Sequence, residues 1–415
     1  MRCRSYVVLC CLTMLATFGY AEDEAKPSML TGDWGGARTA LAQRGLEVES
    51  SLWVDPLRNR GGIEAGGKTV VQFDLKLKAD FAPMVGWEGG SGMLHVFDLA
   101  GAGLNTQRVG SFMGVTNVET PTPTARVFEA WLQQTVMDGQ LSFLAGLYPI
   151  DSEFFGLAVV PVVFGPMYGP PADLSLTRGP SIFSNSAFGL RAKWQAKDRT
   201  WYAMGAVLDG VPGDPARPKA TSIRFAQGDG AFNIGEIGWR PQADNDKFVG
   251  DAKFAFGLWG YSAKVDDLID VDANGAPLKR RSRGGYVLGE HTLRRLGDEG
   301  KRYISGFARY SWNDGASVPL GNALNLGGYV RGPVESRPDD TIFLGWSRGG
   351  LSSKFRDQAG AGATAAAEET LELQYRVQLY PWLALQPVVQ RIRHPGGGAT
   401  TPTAKIYGVR LEVLL

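Results

Sequence analysis

The sequence predicts an all-β fold: a transmembrane antiparallel β-barrel of sixteen strands, preceded by a short N-terminal periplasmic helix. Three observations support this prediction. The chain opens with an export signal, its composition is rich in glycine and aromatic residues, and its apolar residues alternate with polar ones at a period of two. Together these features are typical of bacterial outer-membrane proteins.

The first 21 residues predict a secretory signal peptide. Arg2 and Arg4 precede an apolar run over residues 6–18, and Gly19 and Ala21 occupy the small-residue positions of a cleavage site. The run is shorter than the roughly 20 residues that a membrane-spanning helix needs. All three cysteines lie in this segment, so the predicted mature chain has neither disulfides nor cysteine-based catalytic or zinc sites.

Composition restricts the class of function. The chain has 43 basic and 42 acidic residues, and removal of the signal leaves 41 and 42, interleaved along the sequence. A near-neutral chain offers no basic field, so nucleic acid is not an expected partner. After residue 21 no apolar stretch has the length of a membrane helix. The 55 glycines and 44 aromatic residues (20 Phe, 13 Tyr, 11 Trp) favour short strands joined by tight turns.

Alternation is clearest in two segments. In VQFDLKLKADF, residues 71–81, every odd-numbered position is apolar and every even-numbered position is polar or charged. TLELQYRVQLY, residues 370–380, repeats the pattern. A helix would mix the two sets on one face, so both segments are predicted strands.

Weaker alternation predicts the remaining strands. These lie at Leu46–Val54, Phe128–Gln133, Leu141–Leu147, Phe188–Trp194, Ile342–Ser347 and Lys405–Leu415, and near 93–99, 201–208, 232–239, 253–261, 285–293, 303–312 and 383–392. The total of fifteen or sixteen segments suits a sixteen-stranded barrel. Charges recur along the polar faces, which favours a water-filled lumen over the dry core of a soluble sandwich or propeller.

Gly- and Pro-rich stretches predict loops, among them residues 156–184, 241–246, 266–284 and 321–339. The loop at 156–184 contains five prolines, and it could either fold inwards to narrow the pore or remain on the surface. Asp33 and Gly45 are the predicted start and end of the short helix. The predicted organisation is a signal peptide at 1–21, a periplasmic segment at 22–45 and a barrel at 46–415.

Two short motifs suggest other chemistry. Residues 345–349, GWSRG, match a nucleophile elbow, and Asp357 and His394 follow in the order of an α/β-hydrolase triad, but no helical pattern follows the serine as that motif requires. Asp270, Asp272 and Asn274 resemble the start of a calcium loop, yet Arg281 stands where the closing carboxylate belongs. We therefore predict no catalytic residue, metal site or cofactor.

If the apolar side chains of each strand face lipid, the alternate polar side chains face the lumen. We call this rule parity, and it assigns a set of polar side chains to the lumen. Its members are Lys76, Lys78, Glu129, Trp131, Gln133, Arg191, Lys193, Arg376, Arg410 and Glu412. Opposed Arg and Glu groups would order water and favour polyhydroxylated solutes. Trp131 could stack on a sugar ring or belong to an interfacial belt. Glu129, with Asp151 and Glu153, could be lumen acids or a glycosidase-like set; the alternation around them favours lumen acids.

Four blocks of this sequence resemble carbohydrate-selective porins of the OprB type. They are LTGDWGGARTALAQRGLEVE; FEAWLQQ with LSFLAGLYPIDSEFF; IFSNSAFGLRAKW, leading to Leu208-Asp209-Gly210; and LELQYRVQLYPWLALQPVVQRIRHPGG with the closing YGVRLEVLL. The blocks run from near residue 30 to the end of the sequence. The resemblance therefore covers almost the whole predicted mature chain.

The resemblance implies a sixteen-stranded outer-membrane barrel, passive uptake of glucose or related sugars, and an eyelet lined by charged residues. Glu129, Asp151, Glu153 and Arg191 occupy the matching positions as expected channel-lining residues. Expected partners are outer-membrane lipid, small sugars and the barrel assembly machinery, with the protein a monomer or a homotrimer. Leu415 departs from the usual aromatic terminus, which predicts a weaker assembly signal.

Two alternatives remain open at this point. One is a secreted carbohydrate-active hydrolase, and the other is a sugar-binding β-protein without a pore. A hydrolase would release reducing sugar without conducting ions, and a soluble binding protein would need no detergent after export.

Overall fold

The structure, a computed structural model, describes residues 28–241, 252–297 and 301–415. Within these residues, sixteen antiparallel strands close into one barrel, because the first strand pairs with both the second and the last. The predicted sixteen-stranded barrel is therefore confirmed. The predicted signal peptide and most of the predicted 241–246 loop lie outside the described residues.

Each barrel strand hydrogen-bonds to its neighbours in chain order, apart from a small hairpin, β10–β11, that stands outside the barrel. The strands are β1 Leu46–Arg60, β2 Gly66–Asp80, β3 Gly90–Ala100, β4 Thr124–Val136, β5 Leu141–Tyr148, β6 Ala187–Gln195, β7 Trp201–Asp209, β8 Ala231–Trp239, β9 Ala252–Tyr261, β10 Val265–Val271, β11 Pro277–Arg280, β12 Arg283–Arg295, β13 Tyr303–Asn313, β14 Leu320–Arg331, β15 Thr341–Leu351, β16 Ala367–Tyr380, β17 Leu383–Arg393 and β18 Ala404–Leu414.

The two ends of the barrel differ. Most strands are joined by short turns at one end, whereas long loops leave the other end. In outer-membrane barrels the short turns are periplasmic and the long loops extracellular. The N-terminal segment lies at the short-turn end, where the Leu30 amide donates to the Leu414 carbonyl at 2.8 Å. In an outer-membrane barrel this end is the periplasmic one.

The helices are short: α1 Ala37–Gln43, α2 Phe81–Val85, α3 Ala172–Ser175 and α4 Ser353–Ala359. Helix α1 is the predicted N-terminal helix. The Asp33 carboxylate accepts from the Thr39 amide at 2.9 Å, and Gly45 ends the segment with a φ of +89°. Among the described residues, none of the helices combines the length and apolar character needed to cross a membrane.

Side-chain burial follows the predicted parity. On β16, Leu371 is 47% exposed and Leu373 is 51% exposed. The alternate residues Glu372 and Gln374 are only 0% and 2% exposed. Apolar side chains thus cover the outside and polar side chains are enclosed, the reverse of a soluble β-protein. An outward apolar surface of this kind suits lipid as the surrounding solvent.

Two predicted loops contain strands. The 321–339 loop prediction is wrong over most of its length, since β14 occupies Leu320–Arg331 and pairs with β13 and β15. Its sequence, LGNALNLGGYVR, is rich in glycine and asparagine and looks like a loop; the ladders on both sides satisfy its backbone and keep it extended. Within the predicted 266–284 loop, the β10–β11 hairpin packs against α4.

Two extracellular loops fold into the barrel. We call residues 101–123 inner loop A and residues 149–186 inner loop B. Three inward-facing glutamates hold inner loop B through its backbone amides: Glu236 accepts from Phe155 at 2.7 Å, Glu290 from Ala158 at 2.5 Å, and Glu372 from Gly165 at 3.3 Å. Inner loop B contains the proline-rich segment, which therefore folds inwards and is not an ordinary surface loop.

Apolar packing reinforces this position of inner loop B. Phe154, Phe155 and Tyr168 of the loop are buried in one cluster with Tyr286 and Phe343 of the barrel wall. The Arg309 guanidinium, itself buried, donates to loop carbonyls, including that of Met167 at 2.7 Å. Part of the barrel interior is consequently a packed core, and the remaining space is narrow.

Candidate functional site: the narrowed lumen

The polar space left inside the barrel lies beside β1–β6 and β18. Inner loop B is anchored to β8, β12, β13, β16 and β17, so it occupies the opposite side. A cavity of about 330 Å³ lies where the two inner loops face β1 and β2. Its lining includes Trp53, Gln72, Asn117, Glu119, Asp151 and Phe183.

Arg191 on β6 is the centre of a charged cluster at the edge of inner loop B. Its Nε donates to Glu153 Oε2 at 2.7 Å, and Lys193 Nζ lies 2.9 Å from Glu153 Oε1. The remaining Arg191 donors reach Gln133 Oε1 and Ser142 Oγ, each at 2.7 Å. A guanidinium with this many partners is held in one orientation.

Glu153 stays ionised in this cluster. Burial alone would raise its pKa, but the nearby positive charges of Arg191 and Lys193 outweigh burial and hold the pKa below its usual range. The Tyr148 hydroxyl also donates to Glu153 at 2.7 Å. The cluster therefore contains two cations and one anion, of which Lys193 and Glu153 are partly exposed and Arg191 is buried.

His95 on β3 is the centre of a second cluster. Its Nε2 lies 2.7 Å from Asp74 Oδ1, and its Nδ1 lies 3.2 Å from Glu129 Oε1. The Trp131 indole N–H donates to the other oxygen of Glu129 at 3.0 Å, which places this tryptophan on the inward face. Gln72 donates to Asp74 at 2.7 Å and links the cluster to the cavity.

Asp151, at the start of inner loop B, borders the same cavity. Its side chain is partly exposed to the lumen, but the carboxyl lies deep within the barrel and accepts from the Phe183 amide at 3.2 Å. Burial raises the pKa of Asp151 to about 7, and the negative charge of nearby Glu129 acts in the same direction. Near neutral pH, this carboxyl exchanges between charged and neutral forms.

Arg410 on β18 forms a third cluster with Asp55 on β1. Arg410 also donates to Thr116 Oγ1 at 3.0 Å and to Asn117 Oδ1 at 2.8 Å in inner loop A. Its guanidinium carbon lies 4.6 Å from the centre of the Trp53 ring, a stacking distance. Trp53 thus borders the cavity beside a fixed cation.

The other predicted lumen residues lie nearer the periplasmic end. Arg376 Nη2 donates to Glu412 Oε2 at 2.6 Å, and Lys78 Nζ donates to Glu49 Oε1 at 2.5 Å. Lys76 lies two residues from Lys78 on β2, nearer the extracellular end, and pairs with Glu49 in the β1–β2 register. The predicted residues thus fall into several small groups distributed along the inner wall.

Comparison with known proteins identifies the family. A family model described as carbohydrate-selective porin, OprB family, matches residues 64–415. The chain belongs to the OprB family.

Individual relatives agree with this assignment. Porin B of Pseudomonas aeruginosa is 24% identical, covering 97% of this chain and 96% of that protein. The high-pH structure of Pseudomonas putida OprB superposes with a TM-score of 0.84 at 21% identity, covering 94% of this chain and 99% of that one. The outer-membrane channel DcaP of Acinetobacter baumannii gives a TM-score of 0.53 at 12% identity, covering 89% of this chain and 98% of that one. This OprB-family chain is therefore an outer-membrane porin.

The nucleophile-elbow motif has no elbow in this porin. Ser347 is buried within β15, and its hydroxyl accepts from the Asn325 side chain at 2.8 Å. Asp357 lies in α4, and His394 follows β17. The three residues stand on separate elements, and Ser347 lies inside β15, not at the turn between β15 and α4 where the motif would need it.

The calcium-like segment is part of the β10–β11 hairpin. Asp270 pairs with Arg280 at 2.9 Å and with Lys354 at 2.6 Å. Asp272 Oδ1 accepts from the backbone amides of Asn274 and Ala276. In the described part of the chain, no group of three or more His, Cys, Asp or Glu side chains is arranged to hold a metal.

Sequence reasoning missed several inward residues of the OprB-family lumen, among them Trp53, Asp55, Asp74 and His95. Trp53 lies in a predicted strand, and Asp74 lies on the polar face of the segment with the clearest alternation, so parity alone could have identified both. Asp55 lies one residue beyond the predicted end of the first strand. The surroundings of His95 depend on β2 and β4 being its neighbours, which local sequence does not specify.

Proposed function

We propose that this OprB-family porin passes monosaccharides such as glucose by passive diffusion, without chemistry or a cofactor. The observation that carries the proposal is a closed barrel whose lumen is narrowed by two inner loops to a small cavity, in which a mostly apolar wall that includes Trp53 and Phe183 stands beside a few polar side chains. Its volume, about 330 Å³, is near the lower end of small-ligand pockets, roughly 300–1,000 Å³. A monosaccharide would fit only with close contacts.

The proposed pathway is lined by the residues that parity and the resemblance select. They are Lys76, Lys78, Glu129, Trp131, Asp151, Glu153, Arg191, Lys193, Arg376, Arg410 and Glu412. Among them, Lys78, Lys193 and Glu153 keep partly exposed charged groups that offer donors and acceptors to a solute. Polyhydroxylated molecules satisfy such groups better than apolar ones do. Arg191 and Arg410 are buried and act by holding their neighbours in place.

In this proposal, Trp53 provides the apolar contact with the sugar. A pyranose has apolar C–H faces as well as hydroxyl groups, and an indole ring offers a flat apolar surface beside polar partners. The stacked Arg410 fixes the orientation of the ring. Gln72 and Asn117 line the same cavity and could hydrogen-bond the hydroxyl groups of the sugar.

Planar bilayers test the proposal directly. Purified protein should give stepwise conductance that glucose partly blocks, and W53A should weaken the block about tenfold while changing the conductance much less. W194A is the matched control, because Trp194 faces outward on β6 and is 44% exposed. An equal loss of block in both variants, or unchanged block in W53A, would contradict the sugar-contact role.

The hydrolase alternative makes a different prediction. Glu129, Asp151 and Glu153 would then release reducing sugar from oligosaccharides, and E153Q would abolish that release. In the structure, the Glu153 carboxylate already accepts hydrogen bonds from Arg191, Lys193 and Tyr148. Sugar release together with absent conductance would refute the channel and establish the enzyme.

A further inference from the structure

A cluster of basic side chains lies on the outer surface of the barrel, away from the lumen. It spans the extracellular ends of five adjacent strands, β15 to β18 and β1, of which all but β16 contribute a base. We call it the rim cluster; its members are Arg58, Arg60, Arg348, Arg391, Arg393 and Lys405. Their outward direction follows from parity, since Val389 and Tyr407, two residues from Arg391 and Lys405, are 46% and 42% exposed.

The strand register places three of these cations side by side. Arg60 pairs with Lys405 across β1 and β18, and Lys405 pairs with Arg391 across β18 and β17. Side chains directly opposite each other have Cβ atoms about 4.5–5.5 Å apart, and like charges in such pairs are destabilising. A row of three like charges therefore favours an anion between them.

The chain itself supplies little compensation. Glu369 on β16 faces outward at the same end and pairs with Arg393 at 3.1 Å. In the described part of the chain, no carboxylate lies within ion-pair distance of Arg60, Arg391 or Lys405. The six bases and this one acid leave the rim cluster strongly positive.

The surface below the rim cluster is apolar. On the same strands, the next outward positions towards the periplasm carry Pro56, Leu371, Leu373, Val389 and Tyr407. A groove of about 430 Å³ runs beside Arg58, with Pro56, Thr69 and Tyr407 in its lining. This face thus joins a positive rim to an apolar band.

Six of the outward bases at the extracellular end are concentrated on one side of the barrel. At the extracellular ends of other strands, the outward positions include Arg283 on β12 and the acids Asp98 on β3 and Asp209 on β7. A uniform ring of bases would indicate only general attraction to an anionic surface. A one-sided cluster indicates a bound molecule of defined shape.

We propose that the rim cluster binds the phosphorylated headgroup of an outer-leaflet glycolipid, the lipid A part of lipopolysaccharide. Arginine and lysine bind phosphate oxygens through charge-assisted hydrogen bonds. The acyl chains of the same molecule would lie along the apolar band below. Free phosphate would match only the cations, whereas lipid A matches both halves of the surface.

Native mass spectrometry of the detergent-purified protein can test this. Lipid A should bind the wild-type chain, and R60Q/R391Q/K405Q should bind it about a hundredfold more weakly, because three basic residues at roughly 1 kcal/mol each at an anionic membrane surface amount to about 3 kcal/mol. The matched control is R44Q/K197Q/R199Q, which removes three exposed bases from the periplasmic end. Equal binding by the two triple variants would overturn the proposal.

A second measurement does not depend on the variants folding. Wild-type protein should bind dephosphorylated lipid A at least tenfold more weakly than lipid A, and excess inorganic phosphate should not displace the lipid. Equal binding of the two lipids, or full displacement by phosphate, would refute recognition of a phosphorylated lipid. The glucose block should be the same in R60Q/R391Q/K405Q as in wild type, which separates this inference from the sugar pathway.

Discussion

Arg410 and Asp55 form a two-point ion pair across the strands that close the barrel, with Nε–Oδ1 and Nη2–Oδ2 both at 2.8 Å. The residues are 355 positions apart in sequence and meet because β18 pairs with β1. Thr116 of inner loop A donates to Asp55 at 2.7 Å and accepts from Arg410. The pair therefore connects barrel closure to the position of that loop.

Loss of Arg410 should destabilise the folded barrel. R410Q leaves the Asp55 carboxylate buried without its cation, which typically costs about 3–5 kcal/mol. We expect R410Q to unfold at a lower temperature than wild type. The measurement is the midpoint temperature at which heating converts the gel mobility of the folded barrel to that of the unfolded chain. D55N/R410Q leaves no buried charge and should recover part of the loss. A midpoint for R410Q equal to that of wild type would mean that the pair contributes no net stability.

Glu236 should control how firmly inner loop B is held. It accepts from the Phe155 amide and from the hydroxyls of Tyr202 and Tyr286, so E236A leaves three buried donors unsatisfied, at about 1–3 kcal/mol each. We expect a larger and noisier single-channel conductance as the loop detaches. E369A, which removes an outward carboxylate, should leave the conductance unchanged. A quiet, wild-type conductance in E236A would show that apolar packing alone holds the loop.

Much of the fold could be predicted from the sequence because lipid-facing and lumen-facing positions impose opposite chemistry on alternate residues. Segments such as 71–81 carry that contrast in nearly every residue. Strand β14 does not: its residues between Leu320 and Arg331 include no charge, so its pairing with β13 and β15 decides its structure. Tertiary context overrides local propensity there.

The candidate site was less predictable because its geometry depends on distant contacts. Parity placed Arg191 and Arg410 in the lumen, but it could not show that Glu153 or Asp55 would meet them. The direction of the proline-rich loop was open for the same reason. Its inward course depends on Glu236, Glu290 and Glu372, which lie on three separate strands.

Arg191 should set the ion preference of the channel. R191Q removes one of the two cations beside Glu153, so the cluster changes from net positive to neutral. The channel should shift towards cation selectivity, with the reversal potential in a KCl gradient moving by several millivolts or more. R391Q removes a base from the outer surface and should leave the potential unchanged. Identical potentials in R191Q and wild type would remove Arg191 from the narrow part of the pathway.

Asp173 in α3 should make the stability of the folded barrel depend on pH. It is fully buried, and burial raises the pKa of its carboxyl to about 7. Because this pKa is higher than that of an unfolded aspartate, about 3.9, the folded chain retains a proton that the unfolded chain loses. The contribution to stability is complete below pH 4, falls by up to about 1.4 kcal/mol per pH unit as the pH rises, and is gone above about pH 7.

D173N mimics the protonated carboxyl and should abolish this pH dependence. At pH 4, the midpoint temperature of unfolding of D173N should be near that of wild type. Between pH 4 and pH 7 the midpoint of D173N should exceed that of wild type by a growing amount, and at higher pH the difference should stay constant. D138N, in the exposed turn between β4 and β5, is the matched control and should follow wild type throughout. A constant difference between D173N and wild type from pH 4 to pH 8 would mean that Asp173 has the same charge in the folded and unfolded chains.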